Sequence, residues 1–471
     1  MSAMPNHTVA PTRPSLVLIA TSLGVLLAQI DTSVVNLALK SIAIDLHAGV
    51  SAMQWVIDAY NLVYASLLLT GGTLGDLYGR RRIFVTGIAL FAMGTLICAL
   101  APSATVLILG RIVSGLGAAF ALPMSLVLLT IAYPGKEERA HALGIWASCN
   151  GLAFIIGPTL GGWLVDSIGW RSIFYLALPI CMVAVALTYH AVKESADPRE
   201  RHLDIPGQLL AIAGLGGLAF AAIEGGHWYW TSPLILAIGA TALIALTLLV
   251  WVEARTEGPL LPLEFLRDPV FAAALAIAGL MTFGMYALLF LMPLYFQTVR
   301  GATPFEAGLA LLPMSLSFVI VSQLVGYLTN AFGPRVVMTT GMACMAAGAL
   351  VLGEIGPATS MMVIGIALFV VGVGLGLNTA PVNGVAVAAV PAVRAGTASG
   401  LLNTARMIGA TFGVAILGAI FAAYAGQEAA SGAGFLPGLR AALTVGGIGE
   451  MLGAALAFAC IRRHSLEARG A

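Results

Sequence analysis

Fourteen apolar runs, each near the length needed to cross a lipid bilayer, constrain this chain more than any other feature. A bilayer core about 30 Å thick takes about 20 apolar residues in helical form. The runs cover about 15–39, 52–75, 83–101, 104–132, 142–165, 171–192, 207–224, 233–252, 270–296, 305–329, 335–353, 359–385, 395–423 and 438–461. Pro134-Gly135, Pro198, Gly258-Pro259, Gly356-Pro357 and Pro437-Gly438 punctuate them. Hydrophobic types make up 59% of the 471 residues and charged types 9%, against about 25% charged in soluble domains. The class is therefore an all-α polytopic membrane protein. A formal net charge of +1 provides no field to gather nucleic acid. The five cysteines sit singly in apolar stretches and no histidine spaces with a second ligand, so neither disulfide nor metal site is expected.

Basic residues test the count. With the N-terminus inside, sixteen of the 22 Lys and Arg fall on the cytoplasmic face and four on the other. Arg111 and Arg406 lie within spans. That asymmetry follows the positive-inside rule and places both termini in the cytoplasm. Trp228, Tyr229 and Trp230 suit the outer aromatic belt. A repeat underlies the pattern: Gly75-Asp76-Leu77-Tyr78-Gly79-Arg80 follows the second span, and Asn330-Ala331-Phe332-Gly333-Pro334-Arg335 follows the tenth. The expected organisation is an N-terminal six-helix bundle (1–192), a linker carrying the seventh and eighth spans (193–269), and a C-terminal six-helix bundle (270–471). Parallel halves of this kind suggest a transporter with its site between the bundles.

Charges inside spans are costly and mark functional candidates. Asp31 lies about 12 Å from the outer end of the first span, Asp58 about 9 Å into the second, and Arg111 about 10 Å into the fourth. One arginine neutralises one carboxylate, so the other is left to bind and release a proton; the competing reading is an ion-pair cluster that pins three helices. Deeper in the other half, Arg406 and Glu450 are expected to form a structural pair between consecutive helices, because unpaired buried charges are expensive. In the loop Gly72–Arg82, Gly72, Gly75 and Gly79 permit a tight reversal, Asp76 can cap the third helix or pair with a base, and Arg80 and Arg81 anchor the loop to the cytoplasmic surface. Gly157, Pro158, Gly161 and Gly162 give the fifth span a close-approach face and a softened point.

Together these stretches resemble the major facilitator superfamily, in particular its fourteen-helix drug:proton antiporter branch. The residues that carry the likeness are Asp31–Leu39 of the first span, Trp55–Tyr60 of the second, and Gly110-Arg111-Ile112-Val113-Ser114-Gly115, which is similar to motif B. Gly72–Arg82 resembles motif A, Gly157–Gly162 resembles motif C, and Asn403-Thr404-Ala405-Arg406 resembles the penultimate helix. The resemblance implies the major facilitator fold and roles in proton coupling and substrate binding for Asp31, Asp58 and Arg111. It implies cavity positions for Asn36, Tyr60, Asn61, Asn403 and Arg406, a gating latch at Asp76, and a hinge at Gly157-Pro158. Lys40 stands where the family usually has proline, and Ala177 replaces a frequent asparagine. No carboxylate lies deep in spans nine to thirteen, which argues against divalent cationic substrates.

The expected function is proton-coupled export of amphipathic small molecules, cationic or neutral, from a monomer in a bacterial cell membrane. The proton gradient supplies energy without ATP or a cofactor; no Walker-type phosphate loop is present. A nutrient symporter or facilitator is the alternative. A membrane-embedded transferase would need a paired-acid metal site or a nucleophilic histidine, and neither pattern is present.

Overall fold

A computed structural model describes residues 13–196, 203–226, 228–256, 262–391, 394–426 and 432–461. Among these residues the chain is helical throughout, in fourteen long segments. They are α1 (Pro14–Asp45), α2 (Val50–Tyr78), α3 (Arg80–Ala99), α4 (Ala104–Ala132), α5 (Lys136–Ser167), α6 (Ser172–Ala191), α7 (Ile205–Glu224) and α8 (Pro233–Glu253). After the single turn Leu263–Leu266 come α9 (Pro269–Thr298), α10 (Pro304–Phe332), α11 (Pro334–Gly353), α12 (Met361–Ala388), α13 (Ala395–Ala425) and α14 (Gly432–Cys460). Thirteen of them are long and apolar enough to cross a membrane. The exception, α2, has the length, 29 residues, but Gln54, Asp58, Asn61 and Asp76 make it more polar.

Local chemistry sets many of the ends. Ser103, Asp204, Ser232 and Ser360 each accept a backbone N–H in the first turn of the following helix. Thr303 and Glu306 form a reciprocal capping box at α10. Gly79 closes α2 and opens α3 with φ 111°, and Gly333 does the same between α10 and α11 with φ 80°. A left-handed residue at both sites of the sequence repeat is a requirement that glycine meets without strain.

Three boundaries differ from the sequence reading. Pro437-Gly438 does not begin α14 but lies inside it, where the proline removes one helix hydrogen bond near the start. The tenth run is broken at Leu311 into Pro304–Ala310 and Leu312–Phe332, with Pro313 just after the break. The thirteenth holds a π-helical turn, Gly413–Leu417. Pro198, Gly258-Pro259 and the segments 1–12 and 462–471, with both termini, lie outside the described residues.

Helix packing repeats itself. Within α1–α6 the main pairings are α3 with α4, α2 with α4, α1 with α5, α1 with α6, and α3 with α6. Helices α9–α14 show the same pairings displaced by eight: α11 with α12, α10 with α12, α9 with α13, α9 with α14, and α11 with α14. The halves meet along α2/α13 and α5/α10, with a smaller contact between α1 and α9. Helices α7 and α8 pair with each other, and α7 lies along α2. Gln208 donates to the Ser66 carbonyl at 2.8 Å near one end of α7, and Glu224 accepts from Ser51 (2.7 Å) and Trp55 (2.8 Å) at the other. Glu224 thus fastens the inserted pair to the N-terminal half.

Candidate functional site

A close glycine contact between α2 and α4 brings Arg111 of α4 against the α2 backbone. Gly115 sits against the Tyr60 backbone, where any side chain would collide. This approach lets Arg111 reach across: its Nε donates to the Val56 carbonyl at 2.9 Å. Its Nη1 pairs with Asp31 Oδ2 at 2.5 Å, and the guanidinium lies 4.5 Å from the centre of the Tyr60 ring. Arg111 is 1% exposed, so its charge is spent on these three partners.

Asp58 is outside that arrangement. It is 0% exposed, and neither carboxylate oxygen has a protein partner. The three charges that the sequence groups together are therefore divided into one buried ion pair, Asp31–Arg111, and one isolated carboxyl. Asn61, one turn further along α2, is also buried with neither side-chain atom partnered. Asn36 donates to the Thr32 carbonyl at 2.8 Å, and its Oδ1 is unpartnered. Tyr286 of α9 is hydrogen-bonded to Thr32 of α1, and the Tyr60 and Tyr64 rings lie 6.2 Å apart. Tyr64 and Tyr286 add aromatic walls at the junction of the halves, which the sequence reading did not single out.

Arg406 and Glu450 do not pair. Arg406 donates to the Thr379 carbonyl of α12 at 2.8 Å, whereas Glu450 points at Gly284 of α9 with Oε2 unpartnered. Adjacent helices offer such residues a common partner only when both are rotated toward the shared contact, and here they face different neighbours. Asn403 is exposed, away from the buried cluster. An open groove of about 750 Å³ among Glu354, Tyr424 and Arg440 lies apart from these groups, at the ends of α11, α13 and α14.

The glycines of α5 serve both halves. Gly157 and Gly161 lie against Ser33 and Val34 of α1, while Gly162 meets the backbone of Pro304 and Phe305 in α10. From the other side, Gly308 of α10 sits against the Pro158 carbonyl. A Cβ at Gly162 or Gly308 would meet backbone and force the helices apart, one at Gly161 would press on Val34, and one at Gly157 would displace the Ser33 hydroxyl. In the α2–α3 loop, Asp76 pairs with Arg80 at 2.9 Å. The backbone N–H groups of Arg81 and Arg82 donate to Glu194 at 3.0 and 3.1 Å, and the Arg81 guanidinium donates to the Val192 carbonyl at 3.2 Å. Glu194 docks the loop on the end of α6. Its signal was faint: one acid just beyond the sixth span, facing three consecutive arginines. Gly72 and Gly75 lie in the last turns of α2, Gly75 against Met124 of α4.

A family model described as Major Facilitator Superfamily matches residues 21–414. The chain belongs to the major facilitator superfamily. Among its relatives in that superfamily, multidrug resistance protein Stp of Mycobacterium tuberculosis is 41% identical over 409 residues, covering 87% of this chain and 76% of Stp. The methylenomycin A resistance protein of Streptomyces coelicolor is 35% identical over 401 residues, covering 85% and 84%. Among solved structures, a point mutant of the nucleoside transporter NupG superimposes with a TM-score of 0.68 at 10% identity, over 95% of this chain and 100% of that one; the likeness supports the fold. This major facilitator protein is a multi-pass membrane protein with the repeated helix pairings of its two halves joined along two seams.

Proposed function

We propose that the chain is a proton-coupled antiporter that exports amphipathic, cationic or neutral drug-like molecules by alternating access. The two relatives are named for multidrug and methylenomycin A resistance, which supports export of such compounds. In this reading all fourteen helices cross the membrane, α2 included, and both termini are cytoplasmic. Segments 1–192 and 270–471 rock against each other, with 193–269 as the linker. The end that carries the α1–α2 loop is then the outer one.

The observation that carries the coupling is the isolation of Asp58. A carboxylate buried without a partner is strongly disfavoured, whereas a neutral acid there is tolerable. Asp58 therefore holds a proton while the seam around it is shut. When the inner side opens, water solvates the carboxyl and the proton leaves to the cytoplasm. The anion then accepts a cationic substrate, and after reorientation a proton from outside displaces it. Asp31 cannot serve as easily, because its charge is compensated by Arg111 at 2.5 Å; it orients the arginine beside the path. Proteoliposomes with an imposed pH gradient test the reading. Substrate should move against its own gradient toward the side of higher proton concentration, and an uncoupler should abolish this. Movement of substrate with the protons would mean symport instead.

A further inference from the structure

The α2/α13 seam holds a contact that neither the motifs nor the exchange at Asp58 explains. Gln54 of α2 is 1% exposed. Its Nε2 donates to the carbonyls of Val414 at 3.0 Å and Ala415 at 3.1 Å, both within the π-helical turn Gly413–Leu417. These carbonyls also accept from the Gly418 N–H of their own helix, so Gln54 takes the remaining lone pairs from across the seam. The turn is held on two sides. Gly418 lies against the Gln54 amide, and Gly413 lies against the Phe283 backbone of α9; a Cβ at either glycine would displace the neighbour. Single π-turns inside α-helices recur at functional sites.

Position along the seam links this contact to Asp58. The helices are antiparallel, and two contacts set their register: Gln54 with Val414 and Ala415, and Leu69 with Gly400. Asp58, one turn inward from Gln54 on the same face of α2, is level with Thr411, whose buried hydroxyl has no partner. Asn61 follows on that face. Gln54 thus stands between the unpartnered polar stretch and the outer end. Elsewhere at that end, Lys40 of α1 donates to the Gln297 carbonyl of α9 at 2.6 Å, and Gln297 donates back to the Leu37 carbonyl at 3.0 Å.

We propose that Gln54 is a positioning residue for the exchange: its amide clasps the π-turn of α13 to close the outer end over Asp58, and release of the clasp opens that carboxyl to the outside. The proposal rests on the reading of Asp58 as the exchanging group. An amide–carbonyl contact suits the task, because its net worth is modest and water replaces it on opening.

The test uses spin labels at Ile168 and Met362, exposed positions at the outer ends of the two halves, in the full-length protein with its five native cysteines replaced. Distance distributions are recorded for Gln54, Gln54→Leu and Gly418→Ala. Leucine keeps the bulk and removes the donor; alanine keeps the donor and pushes it away. Both variants should raise the long-distance, outward-open population about threefold or more. The shift should persist in an Asp58→Asn background, because the clasp needs no charge at Asp58; if Asp58 proved not to be the exchanging group, this readout would still report on the clasp. Unchanged distributions in both variants overturn the proposal, as does a drop in thermal stability with no change in the distances.

Discussion

Two seams join the halves of this molecule, and the displaced-by-eight packing makes them equivalents: α2 corresponds to α10, and α5 to α13. In the α5/α10 seam, backbone lies directly on backbone, through Gly162 at Pro304 and Gly308 at Pro158. In the α2/α13 seam, Gln54 bonds the π-turn carbonyls while Asp58, Asn61 and Thr411 line up unpartnered. The first gains from close packing of backbone on backbone. The second places polar groups where only motion, water or a ligand completes them. The same architecture thus carries a mechanical contact on one side and a chemical one on the other.

The largest effect that separates the seams is overpacking of the one built on glycine. Gly308→Leu drives a side chain into the Pro158 carbonyl of α5, and a rigid backbone obstacle cannot relax as a flexible side chain can. Transport should fall to background, with the halves splayed at their outer ends. Normal transport would show that this close approach is not needed in the conformational cycle. Gln54→Leu, by contrast, should shift conformational populations without such a block.

Next in size is the ion pair beside the polar seam. Arg111→Gln strands a buried Asp31 and should cost about 3–5 kcal/mol of stability. The double variant Asp31→Asn/Arg111→Gln should lose much less than the two single losses combined, because it removes both charges together. Thermal unfolding of the detergent-solubilised protein gives both numbers. Additive losses would mean that the two side chains do not act as a unit.

The smallest effect belongs to the junction of α2 and α3. Asp76→Asn weakens its partly exposed contact with Arg80, a pair of the kind worth up to about 1 kcal/mol. Insertion should be unaffected and turnover a few-fold slower, measured as initial efflux rate at equal abundance. An unchanged rate would remove Asp76 from the conformational cycle.

Much of this architecture could be read from the residues. Apolar runs predict the long helices, and Gly79 and Gly333 mark the repeated reversals because only a few residue types tolerate their backbone. The intramembrane charges Asp31, Asp58 and Arg111 are visible because each is expensive. What escaped depends on rotation about helix axes and on contacts made across the molecule. Whether Arg111 pairs with Asp31 or Asp58 depends on which face of α2 meets α4. Arg406 and Glu450 are close in depth and yet point to different helices. The π-turn at Gly413–Leu417 has no local composition of its own and is accompanied by a glutamine that lies 360 positions earlier. Gln54 did leave a trace: a polar residue one turn before Asp58, on the same face.

Exchange by this scheme depends most on the isolated carboxyl, and substrate-induced proton release measures it directly. Purified protein in weakly buffered detergent solution, inner side accessible, is mixed with a cationic substrate while a pH indicator records the bulk. Wild-type protein should release protons in proportion to bound substrate, Asp58→Asn should release none, and Asp31→Asn should still release them if it remains folded. Full release from Asp58→Asn, with none from Asp31→Asn, would contradict the account and return the proton to the Asp31–Arg111 pair.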